Sequence, residues 1–499
     1  VELAPGPKEL MNMQRFYLYL NMTKPGEKLI LSYSDTNAKG EGISPAYLIG
    51  SIRSLYPKLE IENSYCYPEN PEAGIDLFLE KLVQETEKEH EDILEQADET
   101  DAMFGELYSW YLRNPEYRSR VQKLVQSAFA GKPKDIISQS VAKALYGEVS
   151  PYSATRLERF AACAFAHFLQ YGMKLTERVE YEFKPMDMGN VMHEALESFA
   201  EEVRKRGMKW TELTEQERNE IADRCLDNIV ADYGNTVLKS SARNEYMIER
   251  TRRILRRTVW ALQKQLEQGE FQPEGFEVTF GGGRIDRVDI MEDQNKVYVK
   301  VIDYKTGNTS FDLVYLYHGL QLQLMIYLDG ALRVEQKKYP DKEIIPAGVF
   351  YYNIKDPMIQ EKIDADVKAV SAGLMKELKM NGLVQADPEL VYRMDSSLGS
   401  IPVAFNKDGS FRKNSSVADR TQFAVLGRYV RTKIEKIRSS ILEGDAEVSP
   451  YELGKKNACT YCPYMTVCGF DRRLSGYEFR RLKNFSDEEL WKAFDREAE

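Results

Sequence analysis

The chain has no uninterrupted apolar run approaching the roughly 18 residues that a membrane span requires, so no membrane-spanning helix is read from it. It lacks the G-x-x-x-x-G-K-[ST] pattern, and with it any Walker A loop for nucleotide phosphates within these residues. It has no internal repeat and no low-complexity segment. The opening V-E-L-A-P-G-P-K has no basic stretch followed by an apolar core, so no signal peptide is read and a cytoplasmic location is expected. The first residue is not methionine, and a fragment of a longer protein is expected. Basic residues are in deficit, 68 against 79 acidic, for a net charge of -11. That balance argues against indiscriminate coating of nucleic acid, although a local basic channel stays possible. R-T-R-R-I-L-R-R-T, with Arg250, Arg252, Arg253, Arg256 and Arg257, is either such a channel wall or a solvated helix face.

Cysteine is scarce as well, with six in 499 residues. Without a secretion signal, ligation is a better reading than disulfides. Cys66 and Cys225 are isolated and read as small core or surface residues. The other four are Cys163, near the middle, and a C-x2-C-x5-C cluster of Cys459, Cys462 and Cys468 near the end. Four thiolates suit a [4Fe–4S] cluster or zinc. The long gap between ligands suggests a structural clasp, which would pin the segments flanking whatever lies between.

What is present is enough apolar residue, 43%, to build sizeable cores, in a chain long enough for about three domains. Residues 1–60 alternate helix-like segments (Leu10–Asn21, Pro45–Leu55) with a β-rich run, Lys28–Ser34. Residues 61–149 are helical in pattern, and the acidic run Glu85–Asp92 reads as an exposed face. A new unit begins near Ser150. Its first helix, over Tyr152–Phe160, brings Cys163 to its end. Asp187–Lys205 has Val191, Met192, Ala195, Leu196 and Phe199 on one stripe. Helices continue to about Leu266. Then F-E-V-T-F, G-R-I-D-R-V-D-I and K-V-Y-V-K-V-I-D-Y-K read as three strands, the last a buried central one. A helix over Gly319–Arg333 and a strand over Ala347–Tyr352 follow, and helices lead on to the cysteine cluster. The expected class is α/β, with a small mixed sheet flanked by helices and a helical tail at 481–499.

Two carboxylates a few ångströms apart can hold a divalent cation, and a lysine beside them can assist attack on phosphorus. Asp286 and Asp303 on neighbouring strands would converge in this way. Lys305, two residues beyond Asp303, shares its face of the strand. Mg²⁺ suits such oxygen-rich sites. An acid–lysine ion pair at a buried strand end is the plain alternative, and the adjoining G-R-I-D-R-V-D hairpin argues against it. Asp289, three residues after Asp286, faces the other way and reads as structural. His193 is alone on its helix, where packing is the plain reading. Gln323 and Tyr327 are i,i+4 on one helix face.

The ordered set H…G-x-I-D-R-x-D…V-I-D-Y-K-T-G…Q-x-x-x-Y resembles the RecB-type nucleases of the PD-(D/E)xK fold. That resemblance implies a metal site of His193, Asp286, Asp303 and the Tyr304 carbonyl. It implies that Lys305 orients the nucleophile, while Gln323 and Tyr327 support the site and contact DNA. One upstream cysteine plus C-x2-C-x5-C resembles the iron–sulfur staple of a subset of this family. Phe16–Tyr33 resembles the last motif of superfamily 1 helicases, with Thr23, Lys24 and Pro25 where an active motor has T-R-A; lysine does not replace the arginine fork. A degenerate helicase end ahead of a clasped nuclease at 150–480 is similar to the B subunits of AddAB-type helicase–nucleases. This implies a Mg²⁺-dependent exonuclease for double-strand-break repair, partnered by an AddA-type motor and acting on an unwound, 5′-ended single strand of DNA. A stand-alone nuclease of a CRISPR or mobile-element system, and a non-catalytic DNA-binding scaffold, are the competing readings.

Overall fold

The structure, a computed structural model, describes residues 6–34, 43–59, 99–128, 136–147, 153–178, 185–233, 241–281, 283–359, 366–472 and 476–498, with a few isolated positions between 61 and 82. Cys66 and the acidic run at 85–92 lie outside the described residues. The chain divides into two units, Val1–Glu80 and Lys81–Glu499.

In the first unit the two expected helices span Pro7–Thr23 and Tyr47–Leu55. Pro7 opens the former, where a missing N–H does no harm. Lys28–Ser34, expected as a strand, forms none. Its β propensity is real, but a strand needs a neighbour for its ladder of hydrogen bonds. No strand among the described residues adds it to a sheet, and Leu29, Ile30 and Leu31 stand exposed.

The second unit is built around a six-stranded mixed sheet: β1 Gln272–Phe280, β2 Gly283–Asp293, β3 Lys296–Lys305, β4 Glu343–Asn353, β5 Asn381–Gln385 and β6 Val417–Ala418, side by side in chain order. β1, β2 and β3 are joined as antiparallel hairpins, and β4 runs parallel to β3. β5 and β6 were not expected from sequence: they are short, and only their pairing with β4 and with each other makes them strands.

Both sheet faces are covered, as the apolar β3 sequence requires. Val297, Val299 and Val301 pack with Leu324 and Leu328 of the Gln323–Lys338 helix and with Leu426 and Val430 of Arg420–Glu443. Tyr298, Ile302 and Tyr304, on the opposite face, pack with the predicted stripe of the Pro185–Lys205 helix and with Leu255 and Leu262 of Ala242–Glu267. Each such buried side chain contributes about 1.5–3 kcal/mol. Asp303 and Lys305 continue the Val297–Val301 alternation, so they end on the Gln323–Lys338 side.

The helix expected over Gly319–Arg333 starts later and runs further, over Gln323–Lys338. Leu313–Tyr317 forms a short helix, and the long one starts only at Gln323. Gly319 lies between them at φ +79°, and a Cβ there would sit 3.2 Å from the Ala161 Cβ. This turn puts Gln323 at the first position of its helix, above the end of β3.

Candidate active site

Register brings the acids together. Arg287 pairs with Ile302, so Asp286 and Asp303 stand at the adjoining ends of β2 and β3. Asp286 Oδ2 accepts the Tyr304 backbone N–H at 2.7 Å and lies 3.4 Å from His193 Nδ1. Glu277, on β1, completes the group: its Oε1 is 3.9 Å from the same nitrogen. Single ligand atoms of His193, Glu277 and Asp286 all lie within 4.8 Å of one another. Glu277 reaches in through a left-handed backbone, φ +49°, in mid-strand. Such a conformation is uncommon outside glycine and marks a place where surrounding structure holds a side chain to a purpose.

Beside this group lies a second one. Lys305 Nζ is 2.7 Å from Asp303 Oδ2 and donates to Gln323 Oε1 at 2.8 Å. Gln323 Nε2 donates to Asp303 Oδ1 at 2.8 Å and to Tyr327 Oη at 2.9 Å. The i,i+4 pair therefore acts as one unit. His193 and Lys305 keep 29% and 28% of their side-chain surface open, so solvent reaches the site, while Asp303 is buried.

Negative charge is in excess here. Burial, then the neighbouring Asp286, push the Asp303 carboxyl up to about 7 despite Lys305. Glu277 is pushed up to about 7 by burial and by Asp286, against Arg284. Burial would lower the His193 imidazole, but the hydrogen bond and charge of Asp286 outweigh it and raise the value. Burial also raises Tyr327. Crowded acids of this kind raise one another's proton affinity.

Asp289 behaves as expected of a structural residue. It is fully buried, bridged by Arg287 (2.6 and 3.0 Å) and Lys300 (2.8 Å). Three arginines of the basic run are ion-paired: Arg252 with Asp227, Arg253 with Asp356 and Arg256 with Asp223.

The expected four-cysteine ligand set is not gathered in the structure: among the described residues the close group of ligand atoms is His193, Glu277 and Asp286, and Cys163, Cys459, Cys462 and Cys468 form none. Cys163 interrupts two helices, Ala154–Ala162 and Ala164–His167, with an extended backbone. It packs with Ala166, Leu169 and Tyr464, and Cys462 lies against the same cluster. Burial, then the charges of Cys163, Cys462 and Cys468, push the Cys459 thiol up to about 12. Burial raises Cys163 too, while the backbone N–H groups of Ala166, Ser449 and Phe165 favour its thiolate. Amides aimed at a sulfur are a common surrounding of metal-bound thiolates.

Two acids escaped the sequence reading. Glu277 carries a weak signal, an acid in the otherwise apolar F-E-V-T-F. Glu158, whose half-buried carboxylate receives the backbone N–H groups of Leu322 and Gln323, has none.

Residues 151–469 match the sequence profile of the PD-(D/E)XK nuclease superfamily. Over its full length the chain is 39% identical to the B-type subunit of the ATP-dependent helicase/deoxyribonuclease of Lachnoclostridium phytofermentans, covering 44% of that protein. It is 32% identical to the protein of the same name from Clostridium acetobutylicum and 30% to that of a Thermoanaerobacter species, covering 45% of each. The chain therefore spans less than half the length of these curated relatives.

Proposed function

This chain belongs to the PD-(D/E)XK nuclease superfamily, and on that premise we propose that it is the nuclease-bearing part of a helicase–nuclease complex, one that hydrolyses phosphodiester bonds of unwound DNA with Mg²⁺. The observation that carries this reading is the paired cluster at the ends of β2 and β3: three ligand atoms within 4.8 Å, next to an Asp303–Lys305–Gln323 triad. One imidazole and several carboxylates in one crowded cluster fit a divalent cation. His193, Glu277 and Asp286 would hold it, with Asp303 and the Tyr304 carbonyl at its margin.

When bound, the cation supplies charge neutralisation at the scissile phosphate and a more acidic water. The chain supplies position. Lys305 presents its ammonium beside the reacting phosphate, where it orients the attacking water and offsets developing charge. Asp303 holds that ammonium in place at 2.7 Å. Gln323 holds both partners by opposite ends of its amide, and the Tyr327 hydroxyl holds Gln323.

The similarity to B-type subunits of ATP-dependent helicase/deoxyribonucleases supports an AddA-type motor as partner, a cytoplasmic setting, and the 5′-ended strand of a processed double-strand break as substrate. The four cysteines support a [4Fe–4S] clasp. Visible absorbance of anaerobically purified protein separates it from colourless zinc thiolate. The central test is Mg²⁺-dependent degradation of end-labelled single-stranded DNA by the complete complex and by its Asp303→Ala variant. Loss of this chain's strand-specific cutting, with unwinding intact, is expected. Unchanged cutting of both strands would make the site a relic and the chain a clasped DNA-binding scaffold.

A further inference from the structure

We propose that Glu158 is a positioning residue, which caps the helix bearing Gln323 from the helix bearing Cys163 and so sets Lys305 and Asp303 for catalysis. The inference rests on the proposed nuclease reading and extends it to a residue outside the metal cluster.

The first turn of any helix leaves backbone N–H groups without intrahelical partners. A Ser, Thr, Asp or Asn at the N-cap normally receives one of them. The Gln323–Lys338 helix has Leu322 there, which offers no side-chain acceptor. Glu158 takes its place from a distance of 164 residues in sequence. Its Oε1 accepts the Leu322 N–H at 2.7 Å and the Gln323 N–H at 3.0 Å. A carboxylate at a helix N-terminus is also favoured by the helix dipole.

The location is an unfavourable one for an acid. Burial pushes the carboxyl up to about 7, ahead of the two amides and Lys305, which lower it. A methionine would fill the same volume without that penalty, so packing alone does not account for a glutamate. What the glutamate adds is a fixed start for the helix. Gln323 is the first residue of that helix, and its amide spans Lys305, Asp303 and Tyr327. Any slip of the helix start moves the lysine. A displacement of about 1 Å at a reacting group can lower a rate by about 10²-fold.

Glu158 also lies on Ala154–Ala162, the helix that Cys163 terminates. One short helix thus presents a clasp cysteine at its end and the cap from its middle. The clasp and the catalytic lysine are joined by a chain of direct contacts: Cys163 helix, Glu158, Gln323, Lys305.

The test compares Glu158→Gln, which retains the accepting oxygen, with Glu158→Met, which retains the volume without it, in the full-length protein purified anaerobically as its native complex. Amide hydrogen exchange of the metal-free protein is expected to show lost protection at Leu322 and Gln323 in the methionine variant only. That variant should lose about 10- to 100-fold in kcat for DNA cleavage, with KM for DNA within twofold, unfolding temperature and cluster absorbance unchanged, and activity largely restored by glutamine. Equal behaviour of the two variants overturns the proposal, because the oxygen would then be immaterial. Loss of the cluster or of the fold in both overturns it too, since the residue would then serve packing. Asp303→Ala serves as the control. If it still cuts, the reading of the site has failed; if it is inactive and Glu158→Met is fully active, only the present inference has.

Discussion

Strands β2 and β3 carry two buried acidic centres, and they are opposite in kind. On one face, Asp289 is enclosed by Arg287 and Lys300. Burial works against its charge, yet the two cations outweigh burial and hold its carboxyl below the usual range. On the other face, Asp303 is paired with Lys305 but has an acidic neighbour in Asp286, and burial and that neighbour push its carboxyl up to about 7. Both are D-plus-basic motifs at strand positions only a few residues apart. Charge balance separates them: an acid with surplus cations ties β2 to β3, whereas the acids around Asp303 outnumber their basic partners.

The comparison breaks if both aspartates respond alike to removal. Asp303→Ala should lower DNA cleavage by roughly 10³-fold or more, the scale seen when a centre loses a principal electrostatic element, while the unfolding temperature holds or rises because a destabilised acid has gone. Asp289→Ala should do the reverse. It leaves Arg287 and Lys300 buried without their partner, a loss of about 3–5 kcal/mol, read as a fall in thermal unfolding temperature. Combining Arg287→Met, Asp289→Leu and Lys300→Met should recover most of that stability, because a buried ion network replaced by apolar side chains is often neutral. Cleavage per folded molecule should stay near wild type.

A smaller effect sharpens the ligand assignment. His193→Ala should weaken Mg²⁺ activation by about 10- to 100-fold, the range typical of a group that holds or orients a metal, with maximal rate partly restored at high Mg²⁺. A metal titration of cleavage rate measures this directly. No shift of the activation curve would assign His193 to packing against Tyr304, whose ring lies edge-on at 6.1 Å.

Much of the catalytic face was legible from sequence because β2 and β3 are consecutive and their side chains alternate with period two. Once G-R-I-D-R-V-D and V-I-D-Y-K-T-G are read as paired strands, Asp286, Asp303 and Lys305 have to converge, and Asp289 has to turn away. Gln323 and Tyr327 share a helix face by i,i+4 spacing, whereas His193 followed from family resemblance alone. Glu277 was not legible, because its approach depends on a positive φ that no local pattern announces. Glu158 was not legible, because its two partners are backbone amides on a helix far along the chain. Lys28–Ser34 fails in the other direction: its composition favours a strand, but pairing is a tertiary property. Gly319 was read as a helix start when its left-handed turn instead delays the helix to Gln323.

The smallest expected effect tests the charge argument without metal or DNA. Glu158, Glu277 and Asp303 each have a carboxyl pushed up to about 7. Between the ordinary carboxylate range, near 4.5, and pH 7, the folded protein keeps these protons and the unfolded chain has released them. Stability from each group is therefore fully present below about 4.5, declines as pH rises through 7, and then levels off. The Asp289 centre contributes with the opposite sign, its stability being lost only at low pH, so the whole-protein curve mixes both. Subtraction isolates the site. The unfolding temperature of Glu158→Gln minus that of the wild type, both metal-free, should climb by a few degrees between pH 4.5 and 7 and stay flat above. A flat difference across the whole range would mean that this acid keeps an ordinary proton affinity. The contrast between the two centres would then rest on geometry alone.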